Sequence, residues 1–349
     1  MKILHGMCEI AGQGINTVKG LRANGHDAVM AVLQRNYMAD QPDVDLNIVR
    51  KGDFRIILSA LKRGHFAVKA LVRFDVMHTH SGYSLLPFNL DAYLYRLFNF
   101  KCFAEFHGSD IRFMYNTDIE YPYYKNNYPT EAVRRKVVRR LGRLLKHVSG
   151  IIIHDYELLP HIPESSKPVY IVPLRVNISD ITPKYPELIQ EKKPVIVHSP
   201  SKRSTKGTEG ILEKLKEVKG DYELILVENK PHEEAMEIYR NADIIIDMIS
   251  YGTYGVFSIE AMAMGKPVIT YISPEVKKQF PEELPVISTD FDGLPGAVDK
   301  LIADPELRHD LGVKGREYVE RYHDHVKVAK YLYDIYNGTL KTNDLFTVL

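Results

Sequence analysis

Short apolar runs of strand length alternate along this chain with longer stretches of helical period, and the alternation starts twice. The first half offers strand candidates at Lys2–His5, Ala28–Leu33, Val76–Thr79, Cys102–Phe106 and Ile151–His154. Helices are expected between them at Asn16–Asn24, Pro87–Phe98 and Glu131–Val148. The second half begins again with strand Val195–His198, helix Gly207–Val218, strand Glu223–Val227, helix His232–Asn241 and strand Asp243–Asp247. A loop, a short helix and strand Pro267–Tyr271 follow, and the tail from Asp304 onward has a helical pattern. Ser179–Pro194, polar and with three prolines, reads as a linker. The expected fold is α/β: two Rossmann-like doubly wound domains facing across a cleft, residues 1–180 and 190–349, the second closed by C-terminal helices.

At 349 residues the chain is long enough for two cores. Its 46 Lys and Arg against 45 Asp and Glu give no field that would attract nucleic acid. Cys8 and Cys102 are far apart and form no metal-binding pair. The N-terminal apolar run is too short for a signal peptide, and no segment nears a membrane span. A cytoplasmic protein is the expectation.

In doubly wound sheets, ligands bind in the loops at the carboxyl ends of strands. Ser199–Gly207 is such a loop; it opens a helix and carries Lys202, Arg203 and Lys206 beside several hydroxyls. Helix N–H groups and cations together suit phosphate oxygens; the plainer reading is a solvated basic turn. Tyr251–Thr270, YGTYGVFSIEAMAMGKPVIT, raises a second question, because Glu260 stands in an apolar helix behind a glycine-punctuated loop. Gly252 and Gly255 allow close approach of backbone to a ligand, and a carboxylate that accepts from two adjacent hydroxyls suits a ribose. The alternative is a glutamate that merely complements the helix dipole.

These stretches carry a family resemblance. VIVHSPSKRSTKGTEGI, ADIIIDMIS and YGTYGVFSIEAMAMGKPVIT resemble the donor half of GT-B glycosyltransferases of the GT4 (glycosyltransferase group 1) type. The loop Ala11–Gly14, FDVMHTHSG (Phe74–Gly82) and FAEFHGSDIR (Phe103–Arg112) are similar to that family's N-terminal landmarks. The resemblance implies transfer of a sugar from a nucleotide-diphosphate donor to a glycan or lipid-linked acceptor, with retention of anomeric configuration, no cofactor and no required metal. It implies that Arg203 and Lys206 hold the diphosphate, that Glu260 binds the ribose, and that the backbone of Gly255, Val256 and Phe257 meets the phosphates. It also implies that His107 touches the donor sugar and that Gly12 and Gly14 border the diphosphate.

The pattern departs from the family at two points. The family commonly has a second glutamate eight positions before the first, where this chain has Gly252. Val172–Asn177 stands where a Gly-Val-Asp-like turn is usual. Gly252 leaves a non-catalytic nucleotide- or glycan-binding subunit as an alternative, and a nucleotide-sugar epimerase, which shares this two-domain plan, is another. NAD binding is disfavoured, because Thr17 replaces the third glycine of a dinucleotide fingerprint and Leu33-Gln34-Arg35 lacks the ribose acid.

Other features weigh less. Asp43-Val-Asp45 and Asp290-Phe-Asp292 match a metal-binding pattern that arises cheaply. His323 and His325 are expected on one helix, pointing to different faces. Tyr115, Tyr121, Tyr123, Tyr124 and Tyr128 suit either acceptor stacking or a packed loop, with the packed loop favoured. Glu131–Val148 is a basic amphipathic helix, whose apolar stripe suits docking on its own sheet or peripheral contact with an anionic membrane.

Overall fold

A computed structural model describes residues 1–35, 41–49, 55–123, 128–164, 167–189, 192–340 and 342–347. The chain divides into two compact units. The first contains β1 (Lys2–Met7), α1 (Gln13–Ala23), β2 (Asp27–Val32), β3 (Val44–Asp45), α2 (Arg55–Arg73), β4 (Val76–His80), β5 (Lys101–Phe106), α3 (Glu131–Leu145), β6 (Gly150–Ile153) and β7 (Val169–Ile171). Its seven strands are parallel in the order β3-β2-β1-β4-β5-β6-β7. The winding reverses between β1 and β4, so the carboxyl ends of those strands form the crevice where a ligand is expected.

The second unit contains β8 (Val195–His198), α4 (Arg203–Lys206), α5 (Thr208–Leu215), β9 (Glu223–Leu226), α6 (His232–Arg240), β10 (Ile244–Ile246), α7 (Val256–Ala263), β11 (Val268–Thr270), α8 (Pro274–Lys277), β12 (Val286–Ser288), α9 (Leu294–Ala303) and α10 (Pro305–Tyr322). Its parallel order is β12-β11-β10-β8-β9, with the reversal between β8 and β10. Its core is aliphatic: Ile196, Ile211, Ile244, Ile246, Ile269, Leu294 and Val298 are all fully buried.

Helix α11 (His325–Asn337) belongs to the first unit, not to the second where the sequence pattern placed it. The reason is a close helix contact: a Cβ on Gly20 of α1 would stand 2.2 Å from the His325 carbonyl oxygen. Asn24 Nδ2 donates to the Val326 carbonyl at 2.8 Å, and His26 stacks on Tyr333 at 3.5 Å. The boundary between the units falls at Arg175–Val176, upstream of the expected 180–190.

Other differences are local. His323 caps the end of α10 and His325 opens α11, so the two histidines flank a helix break and share no helix. The helix expected at Pro87–Phe98 forms only 3-10 turns at Pro87–Leu94 with positive φ at Phe88 and Asn89. There Asn89 and Asp91 bind Ser84, and Asp91 takes the Leu85 and Leu86 N–H groups, so side chains compete with the helical ladder. On α3, Leu141 and Leu144 are fully buried, which accounts for the C-terminal part of its apolar stripe.

Candidate functional site

In the second unit the reversal point gathers charge. Asp247 follows β10 and is fully buried; Lys206 Nζ lies 2.6 Å from its Oδ1 and Ser258 Oγ donates to its Oδ2 at 2.6 Å. Burial would raise the Asp247 carboxyl, but the Lys206 charge and these hydrogen bonds hold it below its usual value. Lys206 is set by α4, a single turn that Gly207 ends at φ 75°. Its ammonium lies 3.8 Å from where a Cβ on Gly255 would stand. The cation therefore sits at the start of α7, beside the N–H groups of its first turn, which have no intrahelical acceptor.

Glu260 lies one turn further along α7, 16 % exposed, with Oε1 3.8 Å from His232 Nε2. Burial, and then the neighbouring Asp247 charge, push its carboxyl from 4.5 up to about 7, against the pull of Lys206. The acid thus stands ready for a ligand that donates hydrogen bonds. Arg203 is turned elsewhere, bonded to Glu209 at 2.7 Å and to Glu228 at 3.0 Å. His198 ties the site to its sheet through the Ile246 carbonyl at 2.9 Å and Thr208 Oγ1 at 2.8 Å.

Gly252, where the resembled family has an acid, has φ 79°, and a Cβ there would lie 2.9 Å from Ser273 Cβ and 3.2 Å from its nitrogen. The Gly252 carbonyl accepts from that same Ser273 N–H at 2.9 Å. The loop is built for glycine. Gly252→Glu is therefore expected to lower stability by about 1–3 kcal/mol through a left-handed, crowded side chain, measured as a fall in thermal midpoint, and not to restore a missing acid.

In the first unit the reversal point is lined by imidazoles. His5 on β1, His78 and His80 on β4, and Glu105 on β5 are all fully buried, and His107 follows β5. Arg175 binds Glu105 through both oxygens at 2.7 and 2.5 Å and is itself held by Thr17 Oγ1 at 2.6 Å. Burial alone would raise Glu105, but Arg175 first, then His107 and His78, hold it well below the carboxylate range. Burial lowers His5, His78, His80 and His107, so the rings are neutral near pH 7.

The neutral rings are linked in a chain of short contacts. His78 Nε2 lies 2.9 Å from Glu105 Oε2, close but without hydrogen-bond geometry, and its Nδ1 is hydrogen-bonded to the Tyr336 hydroxyl. The Tyr336 oxygen lies 3.3 Å from His5 Nε2, and His5 Nδ1 lies 3.3 Å from His80 Nε2. His80 Nδ1 lies 3.0 Å from His107 Nε2 and 3.3 Å from Glu105 Oε2. His107 Nδ1 is buried without a hydrogen-bond partner.

His5, His78 and His80, or His80, Glu105 and His107, each bring three donor atoms within 4.8 Å, which is metal-ligand spacing. The Glu105 oxygens are, however, taken by Arg175, and the 3.0 Å between His80 and His107 is a hydrogen-bond length, below the roughly 3.3 Å between two nitrogens on tetrahedral zinc. These groups form a polar cluster in which His78 Nε2 and His107 Nδ1 lack hydrogen-bond partners. Of the expected residues only His107 belongs to it. Gly12 and Gly14 lie at the start of α1, where the chain's own Glu9 accepts from the Ile15 N–H at 2.9 Å.

The features weighed less find structural uses. Asp43 binds Arg22 and the Met30 N–H, Asp45 the Asn47 N–H, Asp290 the Gly293 N–H, and Asp292 pairs with Lys214. Tyr123 packs edge-on against Tyr271 and Phe291, and Tyr121 against Tyr251, as a packed loop requires; Tyr124 lies outside the described residues. Sequence reasoning missed Arg175, Glu105, Tyr336 and Ser258. Only the polar letters in the otherwise apolar runs of β4 and β5 signalled the cluster.

A family described as glycosyl transferase-like matches residues 181–334. No curated protein sequence matches the chain. Among solved structures, a sucrose-phosphate synthase from Thermosynechococcus elongatus is similar with TM-score 0.70 at 16% identity, covering 97% of this chain and 98% of that one. Anabaena HepE, solved with UDP-glucose, gives TM-score 0.66 at 12% identity, covering 97% and 100%. WaaG, a glycosyltransferase involved in lipopolysaccharide biosynthesis, gives 0.62 at 13% identity, covering 97% and 100%. The fold is that of the GT-B glycosyltransferases.

Proposed function

We propose that the chain is a glycosyltransferase of the group 1 (GT4) type, moving a sugar from a nucleoside-diphosphate donor to a glycan or lipid-linked acceptor with retention and without a required metal. The observation that carries this is in the second unit: Lys206 beside the N-terminus of α7, with Glu260 one turn along the same helix. A diphosphate on that helix end would meet unpaired N–H groups and a cation, and a ribose would meet Glu260. The solved HepE complex with UDP-glucose and the glycosyl transferase-like match over residues 181–334 favour the same ligand class.

Cleavage of a glycosyl–phosphate bond leaves negative charge on the diphosphate and positive charge on the sugar ring. Lys206 and the α7 amides are fixed where the leaving charge would appear, usually the largest catalytic contribution. Arg203 would join them by exchanging Glu228 for phosphate. His107, whose buried Nδ1 has no hydrogen-bond partner within the protein, suits a donor-sugar hydroxyl. Gly252 favours a second reading, a donor-binding subunit without transfer activity, because the position that carries an acid in the resembled family is here a crowded, left-handed glycine.

The test is donor turnover by the full chain with UDP-, GDP- and ADP-sugars in EDTA, following nucleoside-diphosphate release and the anomer formed by NMR. Release with the donor's anomeric configuration is expected. Binding without release would favour the subunit reading. Conversion of the sugar while still attached to nucleotide would mark an epimerase.

Donor affinity should also depend on pH. Glu260 titrates near pH 7 in the free protein, and only its ionised form accepts from both ribose hydroxyls. Affinity should rise about tenfold per pH unit below pH 7 and level off above it, and Glu260→Gln should flatten the profile. The free protein should show the opposite trend. A carboxyl raised on folding stabilises fully below pH 4.5, and that contribution is lost as pH rises through about 7.

A further inference from the structure

Helix α2 was not expected from the sequence, and its outer face is unusual. Ile57, Leu61, Val68 and Val72 are 65, 66, 63 and 72 % exposed. They recur at i, i+4, i+11 and i+15 and so form one stripe. Of the buried residues, Ser59, Ala67 and Ala70 lie away from this stripe and Leu71 flanks it. Arg55, Lys62, Lys69 and Arg73, all exposed, run along one edge of the apolar stripe at heptad-like spacing, and the helix contains no acidic residue.

The stripe continues beyond the helix. Arg63 of α2 donates to the carbonyls of Leu85 and Ser84 at 2.6 and 3.1 Å, which brings the 85–98 segment alongside. That segment exposes Phe88, Leu90, Tyr93, Leu97 and Phe98. Arg143 of α3 donates to the Phe88 carbonyl, and Asn89 to the Arg140 carbonyl, each at 3.2 Å. Right-handed crossovers from β3 to β4, β5 and β6 run in one direction, so α2, this segment and α3 lie on the same side of the sheet. Of the 16 large apolar side chains that are exposed among the described residues, 12 lie on these three elements. α3 adds exposed Arg135, Lys136 and Arg139.

We infer that this face docks on an anionic lipid surface, with α2 and Phe88–Phe98 supplying the apolar contact and α3 mainly charge. An apolar stripe edged by cations and free of acids is the arrangement that such a surface attracts. A second copy of the chain fits poorly, because a two-fold contact would set these cations against each other. The inference concerns the first unit alone and stands apart from the donor-site reading.

The test is co-sedimentation of the full chain with phosphatidylcholine vesicles, with and without phosphatidylglycerol. Partitioning at least tenfold higher on the anionic vesicles is expected, weakening as salt is raised. Lys62→Gln/Lys69→Gln/Arg73→Gln should reduce it about a hundredfold. Ile57→Ser/Leu61→Ser/Val68→Ser/Val72→Ser should abolish it, with circular dichroism and thermal midpoint unchanged because all four side chains already face water. Should that variant misfold, the charge variant and the salt titration decide. Equal partitioning on both vesicles, or no effect of the charge variant, would overturn the inference. So would a concentration-dependent dimer, seen by sedimentation velocity, that the serine substitutions dissolve without any vesicle binding.

Discussion

Lys206→Ala is expected to lower kcat/KM for the donor about 10²–10³-fold, because it removes a cation seated against the start of α7. The same change leaves Asp247 buried with Ser258 as its remaining side-chain donor, so the thermal midpoint should fall as well. The two effects can be separated. Adding Asp247→Ala removes the stranded charge, and stability should partly return while activity does not. If both returned together, Lys206 would be a structural partner of Asp247 and nothing more.

Arg175→Leu should be the most destabilising single change in the first unit, by about 3–5 kcal/mol, since it strands the Glu105 carboxylate in a fully buried site. Glu105 is held ionised chiefly by that guanidinium; without it the carboxyl takes up a proton or the strand ends open. Adding Glu105→Leu should recover a large part of the loss, measured by denaturant unfolding.

The sheet strands with continuous apolar runs were legible in the sequence. Val195–His198 was placed as observed, and β1, β2, β4, β5 and β6 fell within a few residues. Strand β3, two residues long, offers no periodicity to read. Helix α2 was missed although it is amphipathic: its large apolar stripe faces solvent, and only Ser59, Ala67, Ala70 and Leu71 are buried, so the stripe does not mark a core-facing helix. The elements around Lys206 and Glu260 were legible because they are local: Lys206 ends the single turn α4 after β8, and Gly255 and Glu260 stand at the start of α7 and one turn along it, after β10. The histidine cluster was not. Its parts come from β1, β4, β5, Arg175 just before the boundary between the units, and α11, and only the fold brings Arg175 and Tyr336 to Glu105 and His78. The return of α11 was equally invisible, since Gly20 carries no sign of which helix will press on it.

The most direct test of the donor site is a thermal-shift panel with UDP, GDP, ADP, CDP and NAD on the wild type and Glu260→Ala. A nucleoside diphosphate at 100 times its dissociation constant should stabilise the fold by about 2.7 kcal/mol, and the shift should shrink in the variant. A shift by NAD alone, or a nucleotide shift of equal size in Glu260→Ala, would contradict the account.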